Sequence, residues 1–320
     1  MIAGTLIALL MTVAAPKQGL ADLEAAIGRV RVFAVGVGEE LWPGYGTAPF
    51  DILMLDADQE ILLCRTPAPD GFAPAGRSDG AGCDRHRRPR GSLPAGLLAA
   101  MPLFGPPSTI VMGTPASTGK SKPVWVRTML HEHFHQWQTG LPGYFERVRD
   151  LDLAGGDETG MWQLTFAFPY SRSDILRSHA DAAIALDRAL EARRSAGFGP
   201  ALDRYLAARE RFRAAAGERN WRYAEFQYWQ EGVARWAEIR LGQAYPDPAV
   251  AAAAAALERA TRQELRAPDI AARGREFAYA FGAGEAMLLE ACGRAWQQRY
   301  REVLALGPLL REARRTCPGT

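Results

Sequence analysis

Lysine is nearly absent from this chain: Lys17, Lys120 and Lys122 are the only three in 320 residues. Arginine carries the positive charge instead, and 38 basic residues stand against 36 acidic ones. At that balance no electrostatic footprint for a polyanion is visible, and nucleic acid is not expected as a partner. Short runs such as Arg85, Arg87 and Arg88 read as solvated loop charges. Repeats of about 20–50 residues are also missing, so a solenoid or propeller is excluded. Cysteine is scarce, and none of Cys64, Cys83, Cys292 and Cys317 forms a CxxC pair. That excludes a zinc ribbon and a thioredoxin-like motif. The uncharged apolar stretch Met1–Ala15 falls short of the roughly 20 residues that cross a bilayer as a helix.

What is present is ordinary for a folded protein. The chain is 48% apolar and 23% charged, enough for one large domain or two modest ones without help from disulfides. Met1–Ala15 resembles the apolar core of a secretory leader, although its first basic residue, Lys17, follows the run rather than preceding it. Cleavage sites offer themselves after Ala14 and near Gly19-Leu20-Ala21. This predicts a signal peptide over 1–21, a secreted or periplasmic protein, and no stable transmembrane anchor after processing. No cysteine follows the apolar run, so a lipid anchor is not expected. Four cysteines allow three pairings. Proximity favours Cys64–Cys83 with Cys292–Cys317, as suits an oxidising compartment.

The pattern changes near residue 120. Before it, Val30–Val37 and Ile52–Cys64 read as strands, the second broken by a turn at Asp56-Ala57-Asp58-Gln59. Residues 65–95 read as an irregular loop and Thr109–Met112 as a further strand. After residue 120, Pro123–Gln138 is bounded as a helix by Pro123 and by Gly140 with Pro142. A Gly- and Asp-rich loop follows, and Gly155–Trp162 reads as a surface loop or as a cleft wall or lid. Trp162–Phe168 alternates weakly, as an extended segment does. Helices are predicted over 173–194, 199–216, 221–243, 247–265, 277–303 and 307–315. The predicted class is α+β and predominantly helical, with an N-terminal mixed α/β subdomain over 22–120 and a large helical part over 121–320.

Chemistry concentrates in one place. Three of the five histidines lie in His131-Glu132-His133-Phe134-His135, an HExxH pattern. On a helix, residues four apart share a face, so His131 and His135 can hold one metal ion between them. Glu132 sits at the edge of that face, where it can reach a water on the metal. His133 points to the other side and reads as a packing or supporting residue. The competing reading is a helix whose histidines are merely solvated or packed.

A catalytic zinc takes three protein ligands and keeps one position open. Gln138 and Leu141 stand where the metzincin extension needs glycine and histidine, which excludes that branch. His86 and His179 remain, or a carboxylate. The strongest carboxylate lies in Tyr228-Trp229-Gln230-Glu231-Gly232-Val233-Ala234-Arg235-Trp236-Ala237-Glu238. A glycine directly after a glutamate inside a helix is destabilising by itself and suggests close approach of another backbone. HExxH followed on a later helix by Glu-Gly-x-Ala-x-x-x-Glu resembles the gluzincin zinc metallopeptidases, with a thermolysin-like, peptidase MA-type catalytic domain. The resemblance covers the helices at 123–138 and 221–243. It differs in the long stretch between His135 and Glu231 and in Gln230, where the family often has Asn.

The resemblance implies one Zn²⁺ held by His131, His135 and Glu231, with His179 the alternative third ligand. It implies Glu132 as general base, then acid, in hydrolysis of a peptide or protein substrate. Tyr228, three residues before Glu231, is the expected oxyanion donor; Tyr223, His179 and Tyr279 are the others. Glu238 would orient a ligand histidine. Two further readings are a non-catalytic zinc-stabilised binding protein of the cell envelope and a metal-free helical interaction module.

Overall fold

The computed structural model describes residues 19–157 and 159–317. Most of the expected leader therefore lies outside the described residues. The first element of the described residues is a helix, Leu20–Phe33, which runs on through a π-turn at Ala34–Gly38. This corrects the strand expected at Val30–Val37. β-Branched valines favour strands, but here the apolar spacing is helical. Leu23, Ala26, Ile27, Val30 and Phe33 are buried, while Val32 and Val35 face solvent.

A six-stranded sheet follows, in the order β3-β4-β2-β1-β6-β5. β1 (Ile52–Leu55) and β2 (Gln59–Leu63) form a hairpin across the expected polar turn. β6 (Thr109–Gly113) runs parallel to β1. The segment expected to be irregular contains a second hairpin, β3 (Ala73–Ser78) and β4 (Cys83–Pro89). It was hidden because its residues are polar and half solvated. Its anchors are Cys83, disulfide-bonded to Cys64, and Arg88 and Arg90, both paired with the buried Glu60. β5 (Leu98–Met101) closes the other edge of the sheet. Ile52, Met54, Ile61, Leu63, Ile110 and Met112 face the main core. Leu53, Leu55, Leu62, Val111 and Phe72 fill a small second cluster on the opposite side.

The motif helix, Lys122–Thr139, packs against β5 and β6. It is pinned by polar contacts as well as by apolar ones. Trp125 Nε1 donates to the Gly113 carbonyl at 2.7 Å, and Gln136 Nε2 donates to the Ser108 and Asp51 carbonyls at 2.8 and 3.1 Å. Tyr45 donates to the Leu130 carbonyl at 3.0 Å. The position of the histidines relative to the sheet is thereby fixed.

The remainder is helical: Ser173–Ala192, Phe198–Ala216, Pro248–Arg266, Phe277–Ala291, Ala295–Tyr300 and Gly307–Thr316. The helix expected over 277–303 breaks after Ala291, where Cys292 is bonded to Cys317 and Gly293 takes a positive φ of 120°. Trp162–Phe168 is not extended; it begins with a short helix, Trp162–Thr165. The predicted helix at 221–243 exists with an irregularity at its centre. Glu218–Gln227 passes into a π-turn, Tyr228–Gly232, and then into Val233–Ala244. One buried apolar cluster joins the N-terminal helix, the sheet and these helices. Both favoured disulfides are formed. Among the described residues, no helix is long and apolar enough to cross a membrane.

Gly232 meets another backbone, as its place in the sequence suggested. A Cβ there would lie 2.4 Å from Gly282 Cα and 3.0 Å from the Ala278 carbonyl oxygen, on the Phe277–Ala291 helix. Neither backbone can move aside alone. Gly232→Ala is expected to lower unfolding free energy by about 1–3 kcal/mol. Denaturant melts of wild type and variant check this, and an unchanged midpoint would show that the contact is looser than described.

Candidate metal centre

The motif helix and the π-turn meet at a cluster of three donor atoms. His131 and His135 present their Nε2 atoms on one helix face, 3.0 Å apart. Glu231 Oε2 lies 3.2 Å from His135 Nε2 and 3.6 Å from His131 Nε2. Zinc bonds of about 2.0–2.1 Å in a tetrahedron separate their ligands by about 3.3 Å, so this triangle fits such an ion. All three side chains are buried. The π-turn presents Glu231, in keeping with the frequent occurrence of such turns at functional sites.

Each histidine is oriented from behind. His135 Nδ1 lies 2.6 Å from Gln138 Oε1. Gln138 Nε2 in turn donates to Tyr300 Oη at 2.5 Å and to the Gln230 and Trp229 carbonyls at 3.0 and 3.3 Å. One side chain therefore fixes the tautomer of His135 and ties it to the turn that carries Glu231. His131 Nδ1 lies 3.3 Å from Glu238 Oε2, at an angle short of a good hydrogen bond. Glu238 also accepts from Arg127 Nε at 2.7 Å. Glu238 thus stands behind His131, at the ring nitrogen opposite the triangle.

The electrostatics favour a cation at the triangle. Burial lowers the His131 pKa, but the carboxylates of Glu231, Glu238 and Glu132 outweigh it and bring the pKa up to about 10. Burial would raise Glu231, yet His135, His131 and Arg275 hold it well below the usual carboxylate range. Arg275 Nη1 donates to the outer oxygen, Glu231 Oε1, at 3.1 Å, leaving Oε2 for the triangle. Burial would likewise raise Glu238, but His131, Arg235 and Arg127 hold it at about 2. Glu132 differs from both. Burial raises its pKa; the histidines pull it down, and Glu231 and Glu238 push it up. Its net shift is upward, and its carboxylate takes no hydrogen bond from the described residues. It is a buried base with an open acceptor beside the triangle.

The other expected residues divide. Tyr279 is at the site: its ring stacks on His131 with centroids 6.0 Å apart, and its hydroxyl accepts from Arg275 Nη2 at 3.4 Å. Burial and the neighbouring Glu231 raise its pKa well above the ordinary phenol value. Tyr228 is not brought there. A π-turn adds a residue to the turn, so a three-residue spacing no longer repeats a face. Tyr228 instead stacks on Phe281 and meets Phe277 edge-on, near the buried Arg209, Glu225 and Glu285. Tyr223 donates to the Gln163 carbonyl and supports the segment after the motif helix. That segment packs Trp162 on Phe226 and leaves Met161 and Leu164 exposed. His179 is not in the donor group; it lies among Phe212, Phe277 and Phe281. His86 pairs with the Arg65 carbonyl in the sheet, and His133 packs on Tyr45 and Phe50. Gln138 and Arg275 were missed by sequence reasoning. Only the three-residue spacing of Gln138 from His135 hinted at its role.

Comparison of the chain with protein-family models, curated proteins and solved structures returns no match.

Two measurements follow from this geometry. Gln138→Ala is expected to weaken zinc binding about 10- to 100-fold, read by competition with a chromophoric chelator; unchanged affinity would remove Gln138 from the site. Away from the cluster, burial pushes the His179 pKa down to about 4. The unfolded chain protonates His179 below its ordinary value of 6.5, the folded chain only near 4. Stability from this residue is therefore present above pH 6.5 and falls as the pH is lowered towards 4, by about 3 kcal/mol. His179→Phe should flatten that part of the stability curve, and identical curves would contradict the burial.

Proposed function

We propose that the protein is a zinc-dependent peptidase of gluzincin type, with His131, His135 and Glu231 as ligands and Glu132 as the catalytic base. The observation that carries this reading is the pairing of a tetrahedrally spaced donor triangle with an unengaged, buried carboxylate beside it. A site that only stabilised the fold would have no use for Glu132.

His131, His135 and Glu231 would hold a zinc ion, which would supply Lewis acidity to the scissile carbonyl and to the attacking water. Glu132 takes a proton from the attacking water and passes it to the leaving amine. Its carboxylate, which takes no hydrogen bond from the described residues, is free to accept that proton and to give it up again. Gln138 and Glu238 keep the imidazoles turned so that each Nε2 faces the triangle. Arg275 holds Glu231 by its outer oxygen. Tyr279, whose hydroxyl lies beside Arg275 and Glu231, is the phenol that donates to the carbonyl oxygen as negative charge develops there. The disulfides and the apolar N-terminal stretch support an exported protein.

Glu132→Gln keeps the size of the side chain and removes the base. It is expected to keep the fold and the zinc and to lose about 10²- to 10⁴-fold in hydrolysis of a peptide library. Hydrolysis at the wild-type rate in this variant would contradict the mechanism. Zinc bound by a wild type that cleaves no library peptide would point instead to a metal-stabilised binding protein.

A further inference from the structure

Three arginines surround the cluster, each paired with a carboxylate, and two of them are also hydrogen-bonded. Arg127 is held by Glu238 and the Ala253 carbonyl. Arg275 is held by Glu231, Gln227 and Tyr279. Arg235 makes no hydrogen bond to the described residues. Its Nε is buried without an acceptor, 3.5 Å from Glu238 Oε2, while its side chain keeps 20% exposure. Its guanidinium lies over the Tyr279 ring, 4.9 Å from the centroid. The same ring stacks on His131. These two separations place the guanidinium within about 11 Å of the His131 ring, the span of about three extended residues.

Charge balance gives this position a direction. The three arginines offset Glu132, Glu231 and Glu238, and a divalent ion in the triangle would leave the site positive. Of the three, Arg235 alone donates no hydrogen bond to the described residues, and its side chain is 20% exposed. A guanidinium fork matches a carboxylate in a two-bonded geometry that no neutral group reproduces. Stacking on Tyr279 restricts the fork beforehand, which lowers the entropic cost of binding.

We propose that Arg235 binds a carboxylate of the substrate, so that the site selects peptides with a carboxylate within about three residues of the scissile bond. The group is either the C-terminal carboxylate or an acidic side chain, and the chemistry at Arg235 is the same. The inference rests on the peptidase reading, because it places the substrate over the metal triangle.

The test is calorimetric binding of three peptide hydroxamates to the zinc-loaded full chain. The peptides are identical except that one ends in a free carboxylate, one in an amide, and one in an amide with Glu replacing Gln. Either carboxylate-bearing probe is expected to bind about 10- to 100-fold tighter than the neutral one. The tighter of the two identifies the source of the group. In Arg235→Gln that preference should collapse to near one, with the zinc-to-protein ratio of the variant measured alongside to show the metal still bound. Equal binding of all three to wild type would overturn the proposal, and so would a preference that survives Arg235→Gln. Failure of all three to bind would instead be the failure of the metal-site reading, and this inference would fall with it.

Discussion

Two imidazoles and three carboxylates are buried together where the motif helix crosses the π-turn, and that concentration of charge constrains everything around it. Anions out of water need positive charge close by or hydrogen bonds to every oxygen. The structure supplies Arg127 to Glu238 and Arg275 to Glu231, and leaves the inner oxygen of Glu231 facing two histidine nitrogens. Those three atoms offer a donor set for a divalent ion. Glu132 remains as the carboxylate without a donor, which is the condition a proton-transfer base requires.

The scaffold is arranged to hold two helices at one separation. On one side the motif helix is fastened to the sheet through Trp125 and Gln136. On the other, Gly232 and Gly282 let two backbones touch, which sets the depth of the π-turn. Gln138 joins the two sides, since it holds His135 with one end of its amide and the π-turn carbonyls with the other. Tyr300 extends that link by donating to the Trp229 carbonyl at 2.6 Å. The Cys292–Cys317 disulfide joins the segment just before the Tyr300 helix to the residue that follows the Gly307–Thr316 helix.

Local spacing made the centre of the site legible in the sequence. His131 and His135 share a face by helix geometry alone, and Glu231 was visible through the glycine beside it. The α+β, mostly helical class was legible from the change in pattern near residue 120. What stayed hidden depended on tertiary approach or on local irregularity. Gln138 looks like any helix-end amide until the π-turn arrives against it. Tyr228 was placed by assuming regular helix spacing, and the π-turn rotates it into the aromatic core. The hairpin of β3 and β4 carries too little apolar alternation to read as strands, because its support comes from a disulfide and from ion pairs to Glu60. Val30–Val37 was read by residue type, whereas burial followed the helical period of the preceding residues.

The central claim is that His131, His135 and Glu231 together hold one zinc ion. The most direct test is the zinc-to-protein ratio of the purified chain by elemental analysis, after zinc is offered and the excess removed. The account predicts a ratio near one. A ratio near zero would mean that the buried cluster is balanced by its arginines and by protons without a metal, and the metallopeptidase reading would have to be abandoned.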